Sequence, residues 1–195
     1  MEADKTALIH FLKQIQVMSD AVAVIAAADF EQVSYQKNEL LLAQGQISND
    51  FLFLESGFIR AFTLDTEGNE VTTNFYKPNT IVFEVASFLK RIPTAESFQA
   101  LTDCTGWKVN YDTFQVLFHS IPEFREFGRA NLVNGFIALK ERTLSMINLT
   151  AEQRYENLIN SRPDIFRNAS LKHIASYLGI TDTSLSRIRK ESARK

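Results

Sequence analysis

The chain has 195 residues, 45% of them hydrophobic and 23% charged, with a net charge of −2. That composition suits a soluble globular protein with one sizeable core and a smaller second unit. A single cysteine, Cys104, excludes an internal disulfide and any multi-cysteine zinc or iron–sulfur site, and no apolar run is long enough to span a bilayer.

Residues 4–29 read as a helical lead-in. Leu8, Leu12, Ile15, Val22, Ile25 and Ala26 give a broken helical period, and Ser19-Asp20 suits the cap of a second piece. From residue 30 to about 110 the texture changes to short apolar and β-branched runs separated by turn signals. The runs are 32–35, 39–43, 50–55, 58–64, 70–76, 80–83, 97–100 and 106–110. Eight short strands at this spacing predict a barrel or jelly roll rather than an open α/β sheet. Gly45 and Gly57 mark turns, and Gly68 supplies the positive φ that the 65–69 hairpin loop requires. Cys104 is expected to be a small buried hydrophobe.

The chain then turns helical again. Residues 111–119 form a short amphipathic piece closed by Ile121-Pro122, and an uninterrupted helical run covers 123–149. This long helix carries two apolar stripes. Leu132, Phe136, Leu139 and Met146 form one; Val133, Ile137, Leu144 and Ile147 form the other. A helix resting on one core needs one stripe. Two stripes fit a helix crossing between domains or a seam against a second copy of the chain; the near-heptad spacing of the first favours the seam. Thr150-Ala151-Glu152-Gln153 is a capping box opening a helix over 151–161, and Pro163 is read as starting a loop. The expected division is 1–122, 123–149 and 150–195.

The last segment predicts two short helices around a tight turn. Ser170 caps the first, whose inner face is Leu171, Ile174, Ala175 and Leu178; Gly179 ends it, and Thr181 caps the second. Leu185 and Ile188 face inward, leaving Asp182, Thr183, Ser186, Arg187, Arg189 and Lys190 outward. This is the pattern of a helix-turn-helix that enters a DNA major groove. Charge agrees: residues 151–195 hold nine Lys and Arg against five Asp and Glu, while residues 1–150 hold 12 against 18. A basic segment of this kind is the footprint of a polyanion site. No signal peptide is legible, so the expected location is the cytoplasm, with no membrane partner.

A helical lead-in, an eight-stranded roll, a long helix and a C-terminal helix-turn-helix, in that order, resemble the Crp/Fnr family of transcription regulators. Gly45 and Gly57 at the family's turn spacing, Glu84 after Pro78-Asn79, and the Ile121-Pro122 step carry the resemblance. The most specific match is Ile174-Ala175…Leu178-Gly179-Ile180…Leu185-Ser186-Arg187-Ile188. The resemblance implies an α+β protein with a cyclic-nucleotide-binding-type jelly roll, a dimerisation helix and a DNA-binding domain. It implies a homodimer reading an inverted-repeat operator in double-stranded DNA, with RNA polymerase as a further partner and a small effector in the roll. Thr181, Asp182, Thr183, Ser184, Ser186, Arg187, Arg189 and Lys190 become the DNA-contacting set. Leu132, Phe136, Leu139 and Met146 become the dimer seam. Ile81, Phe83, Glu84, Thr94, Ser97, Phe98, Leu139 and Lys140 become the effector pocket.

Departures from the family pattern are informative. Members that bind cyclic AMP pair a glycine–glutamate step with an arginine–serine or arginine–threonine step about ten residues on. Here Phe83 replaces the glycine, and Thr94-Ala95 stands at the arginine step. The cyclic phosphate loses its bidentate cation, which argues against cyclic AMP, although Arg91 could restore a cation if the 90–96 loop folds inward. One cysteine argues against the iron–sulfur branch, and His10, His119 and His173 do not suggest a haem or metal site. Only eight residues follow Arg187, so a wing after the recognition helix is expected to be truncated or absent, leaving DNA contact to the helix and to Arg194 and Lys195. The rival reading is a stand-alone small-ligand or cupin-like module, but residues 30–110 hold no histidine. No enzymatic constellation is present in the sequence.

Overall fold

The computed structural model describes residues 4–14 and 18–192. Ile15, Arg194 and Lys195, each named above, lie outside the described residues. The lead-in is two helices, α1 (Thr6–Lys13) and α2 (Asp20–Ala28), and the Ser19 hydroxyl caps the second by accepting from the Val22 N–H. Eight strands follow among the described residues: β1 (Glu31–Tyr35), β2 (Leu40–Leu42), β3 (Asp50–Ser56), β4 (Ile59–Leu64), β5 (Glu70–Tyr76), β6 (Thr80–Val82), β7 (Ser97–Ala100) and β8 (Cys104–Asn110). They form two antiparallel four-stranded sheets, ordered β1-β8-β3-β6 and β2-β7-β4-β5. This is the jelly roll that the run spacing predicts.

Side-chain alternation along β3 sets the layers. Leu52 and Leu54 point between the sheets, where they meet Ile59, Val82, Phe98 and Cys104. Phe51 and Phe53 point to the other face and pack with Trp107, Phe11, Phe114, Phe124 and Phe127. Burying such a ring stabilises the fold by roughly 1.5–3 kcal/mol. The turn into β4 closes tightly on β8. Gly57 has φ +94°, and a Cβ there would lie 2.5 Å from both the Asp103 carbonyl oxygen and the Cys104 Sγ. Glycine is required there by backbone conformation and by space.

A short helix, α3 (Val85–Lys90), follows β6 where the sequence reading assigned no element. The Glu84 carboxylate caps it, accepting from the Ala86 and Ser87 N–H groups at 3.2 and 2.5 Å. Next come α4 (Tyr111–Ser120) and the long α5 (Pro122–Asn148). Phe124, Phe127 and Gly128 anchor the first two turns of α5 in the N-terminal core, and no later residue of the helix is buried.

The C-terminal unit comprises α6 (Ala151–Ser161), α7 (Pro163–Asn168), α8 (Leu171–Leu178) and α9 (Asp182–Ser192). The capping box at Thr150 closes in both directions. The stretch after Pro163 is helical rather than a loop. Proline sits in the first turn, where its missing N–H costs nothing, and α7 delivers the fully buried Ile165. Leu171, expected on the inner face of α8, is 41% exposed because it occupies the first position after the cap; Ile174, Ala175 and Leu178 make that face. The unit packs on the outer face of the second sheet, where Phe58, Phe75 and Leu101 join Tyr155, Leu158, Ile174, Leu178, Leu185 and Ile188.

Candidate nucleic-acid interface and effector site

The α8–α9 pair is held in a fixed geometry by its turn. Gly179 has φ 68°, its N–H reaches the Ser176 carbonyl at 3.1 Å, and the Ile180 N–H reaches the Ala175 carbonyl at 3.0 Å. These two bonds are the glycine-dependent C-terminal motif that satisfies the last carbonyls of a helix. The Thr181 hydroxyl accepts from the Ser184 N–H at 3.3 Å and lies 2.9 and 3.0 Å from the hydroxyls of Thr183 and Ser184. Thr181 therefore caps α9 at the centre of a hydroxyl cluster. Leu185 and Ile188 are buried beneath α9. Asp182, Thr183, Ser186, Arg187, Arg189 and Lys190 are exposed along its outer side, and Ser184 is half-buried. Arg187, Arg189 and Lys190 form no ion pair among the described residues, so their charge faces solvent.

The long helix presents the reverse chemistry. Phe136 is 67% exposed, Leu139 60% and Ile147 72%, and Leu132, Val133, Ile137, Leu144 and Met146 are exposed as well. Met146 also leans on the helix-turn-helix: a Cβ at Gly179 would lie 2.5 Å from its Cε. The end of the first stripe thus touches the turn between α8 and α9.

The C-terminal unit is tied to the roll through β5 and α8. The Thr72 N–H donates to the Ser176 hydroxyl at 3.2 Å, and the Ser176 hydroxyl bonds that of Thr72 at 3.1 Å. The Arg142 guanidinium lies 4.4 Å from the Tyr177 ring and donates to the Tyr177 carbonyl at 3.2 Å. His173 sits at this junction with its Nδ1 buried and unpartnered. Burial, the Arg60 charge on β4 and the neighbouring Lys172 pull its pKa down to about 4, against a smaller upward pull from Glu70 on β5. The native state therefore holds His173 neutral where the unfolded chain, near 6.5, takes a proton. Stability is full above pH 6.5 and falls as pH drops from 6.5 toward 4. Urea unfolding at pH 7 and pH 5 should show this loss, and His173→Gln should reduce the difference between the two midpoints. An unchanged difference would exclude His173 as its source.

The roll interior differs from the expected pocket. Its cavity is only about 40 Å³ and is lined by residues that include Tyr35, Leu42, Asp50, Val82, Phe83, Glu84 and Phe98. Ile81 does not reach it: its neighbour Val82 points inward, so Ile81 faces the helical core on the other side of the sheet. Leu139 and Lys140 do not line it either. Thr94 is buried, its hydroxyl accepting from the Glu96 N–H and donating to the Glu96 carbonyl. The Ser97 hydroxyl accepts from the Gln44 N–H at 2.9 Å. Both pin loops rather than face a ligand. Arg91 takes a left-handed conformation at the end of α3, and its guanidinium donates to the Ser48 carbonyl and the Asn49 side chain while lying 4.1 Å from the Tyr111 ring. Burial raises the Tyr35 pKa to about 12 and pushes that of Tyr76 up as well, so both phenols stay neutral. No described helix is long and apolar enough to cross a membrane, and the described residues hold no group of three or more His, Cys, Asp or Glu placed for a metal ion.

Residues 32–120 match the cyclic nucleotide-binding domain family. The anaerobic regulatory protein of Haemophilus influenzae is 22% identical over 165 residues, covering 78% of this chain and 63% of that protein, so the match spans under two thirds of the relative's length. The CooA variant structure from Carboxydothermus hydrogenoformans superposes over 100% of this chain and 86% of its own, with a TM-score of 0.73 and 18% identity. A transcriptional regulator of the Crp/Fnr family from Eubacterium rectale superposes over 93% and 87%, with a TM-score of 0.72 and 13% identity. The chain has the Crp/Fnr architecture. Within that architecture Glu84 occupies the expected acidic step but serves as the cap of α3, and no Lys or Arg lines the roll interior among the described residues. The sequence reading missed α3 because its cap is a glutamate, a residue type read there as a ligand contact. It also missed the contacts of α8 with β5, which join residues 104 apart.

Proposed function

We propose that this protein is a transcription regulator that binds double-stranded DNA as a homodimer through α9. The observation that carries the reading is the pairing of two exposed surfaces: a basic run at Arg187, Arg189 and Lys190, and an apolar face on the long helix joined to it. Asp182, Thr183, Ser184 and Ser186 complete the groove-facing side, with Thr181 setting the helix start. Leu132, Phe136 and Leu139 form the seam, and Met146 links its end to the helix-turn-helix turn. Residues 1–122, 123–149 and 150–195 serve as the roll unit, the dimerisation helix and the DNA-binding unit. The target places the protein in the cytoplasm.

Arginine suits bidentate pairing with guanine, whereas lysine meets phosphate as a point charge. Arg187→Ala should cost about 1–3 kcal/mol on the preferred site and relax preference at one base pair per half-site. Lys190→Ala should weaken binding to all sequences alike and flatten the salt dependence. Fluorescence anisotropy with labelled duplexes at several salt concentrations measures both. Absence of duplex binding by the unmodified protein would overturn the proposal, and unchanged preference in Arg187→Ala would remove that residue from the reading set.

A further inference from the structure

A second cavity lies outside the roll, where α3, α4 and α5 meet the outer face of the β1-β8-β3-β6 sheet. Its volume is about 200 Å³, five times that of the roll interior. Phe51, Phe83, Phe114 and Phe118 wall it with rings, and Leu132 of α5 closes one side. No charged residue lines it. The polar side chains are two amides, Gln115 and Asn131, and the Asn131 Nδ2 donates to the Phe127 carbonyl at 2.9 Å, which leaves its amide oxygen free to accept.

The surrounding core is otherwise closely packed. Phe51 and Phe114 centroids are 4.8 Å apart, Phe51 and Phe83 5.2 Å, and Phe114 and Phe118 5.6 Å. The cavity opens to solvent past Leu89 and Leu132, which are 44% and 37% exposed, so a small guest can enter without unfolding the core. An apolar cavity of about 150 Å³ stays dry and accepts a benzene-sized guest. A space of 200 Å³ with four phenylalanine rings and a free amide oxygen fits one or two fused rings carrying a single hydrogen-bond donor. We propose that this cavity is a binding site for a small, uncharged aromatic molecule.

The position gives such a ligand a consequence. Gly128 is the last buried residue of α5, and a Cβ on it would lie 3.2 Å from the Phe118 ring. Asn131 and Leu132, one turn further on, are cavity wall, and Leu132 is also the first residue of the apolar stripe. An occupant touches the helix where it leaves the core. Binding itself does not depend on the DNA-binding reading.

Indole, which has two fused rings and one N–H donor, is the probe. Calorimetric titration of the full chain without DNA should give one indole per chain, and the thermal midpoint should rise with indole concentration. Leu89→Trp and Gln115→Trp each place a ring at the cavity rim and should weaken binding by about tenfold or more, with unchanged far-ultraviolet circular dichroism showing that the fold persists. Leu42→Phe, which fills the roll interior instead, should leave indole affinity within about twofold. Absence of both heat and a thermal shift with the unmodified protein would overturn the proposal. Loss of binding in Leu42→Phe but not in the two tryptophan variants would place the ligand in the roll and overturn it too. Binding only by a Phe136→Glu/Leu139→Glu double variant would mean that a second copy of the chain fills the cavity, which also contradicts the proposal.

Discussion

Replacing Phe136 and Leu139 together by glutamate should convert the protein from dimer to monomer without unfolding it. The unmodified chain should sediment at twice its 22.2 kDa mass at micromolar concentration. Both side chains are more than half exposed in the single chain, at 67% and 60%, so their loss leaves the roll and the helix-turn-helix intact. In a seam, each buried apolar side chain stabilises by about 1.5–3 kcal/mol. Removing two from each copy costs at least ~6 kcal/mol, roughly four powers of ten in the dissociation constant. Four unpaired carboxylates in the seam add to that penalty. Sedimentation of both forms checks the result; a monomeric unmodified protein, or a double variant that still dimerises, would contradict the seam.

Cyclic AMP should not bind the roll. Small-molecule pockets usually measure about 300–1,000 Å³, and the roll interior offers about 40 Å³. Its ionisable lining residues include Asp50 and Glu84; Lys108 already pairs with Asp50 at 2.8 Å, and the Glu84 carboxylate is committed to the N-terminus of α3. A phosphate entering there meets carboxylates, and no Lys or Arg is among the lining residues. Losing an arginine–phosphate pair removes about 2–5 kcal/mol, on the order of 30- to several-thousand-fold in affinity. The inward movement of Arg91 that would repair this requires breaking its bonds to Ser48 and Asn49 and leaving the Tyr111 ring. Calorimetric titration should therefore show a dissociation constant well above tens of micromolar. A value at or below that range, abolished in Arg91→Ala, would show that the arginine moves inward and that the roll opens.

The parts of this fold that were legible are those written in local chemistry. The strand over residues 70–76 and the helix over 151–161 have the bounds that turn glycines and the Thr150 capping box announce. The helix-turn-helix was legible because Ser170, Gly179 and Thr181 each act on their own backbone neighbours. What was not legible depends on register and distance. Ile81 and Val82 are adjacent apolar residues on a short strand, and only pairing with Phe53 and Leu52 decides which one faces inward. The first turn of α7 begins at Pro163, and proline signals a helix start as well as a loop. Thr94 and Ser97 are plausible ligand contacts by position, but the Thr94 hydroxyl is bonded to the backbone of Glu96 and the Ser97 hydroxyl accepts from the Gln44 N–H. The cavity beside Leu132 arises where β3, α3, α4 and α5 converge, so no single segment advertises it.

The central claim, a symmetric dimer reading DNA through α9, is tested most directly by selecting bound duplexes from a random pool. Two recognition helices related by a two-fold axis should enrich an inverted repeat with half-site centres about 34 Å, one helical turn, apart. The Arg187→Ala protein should enrich the same spacing with one base pair per half-site relaxed. Enrichment of a single asymmetric element, or no enrichment over the starting pool, would contradict the account.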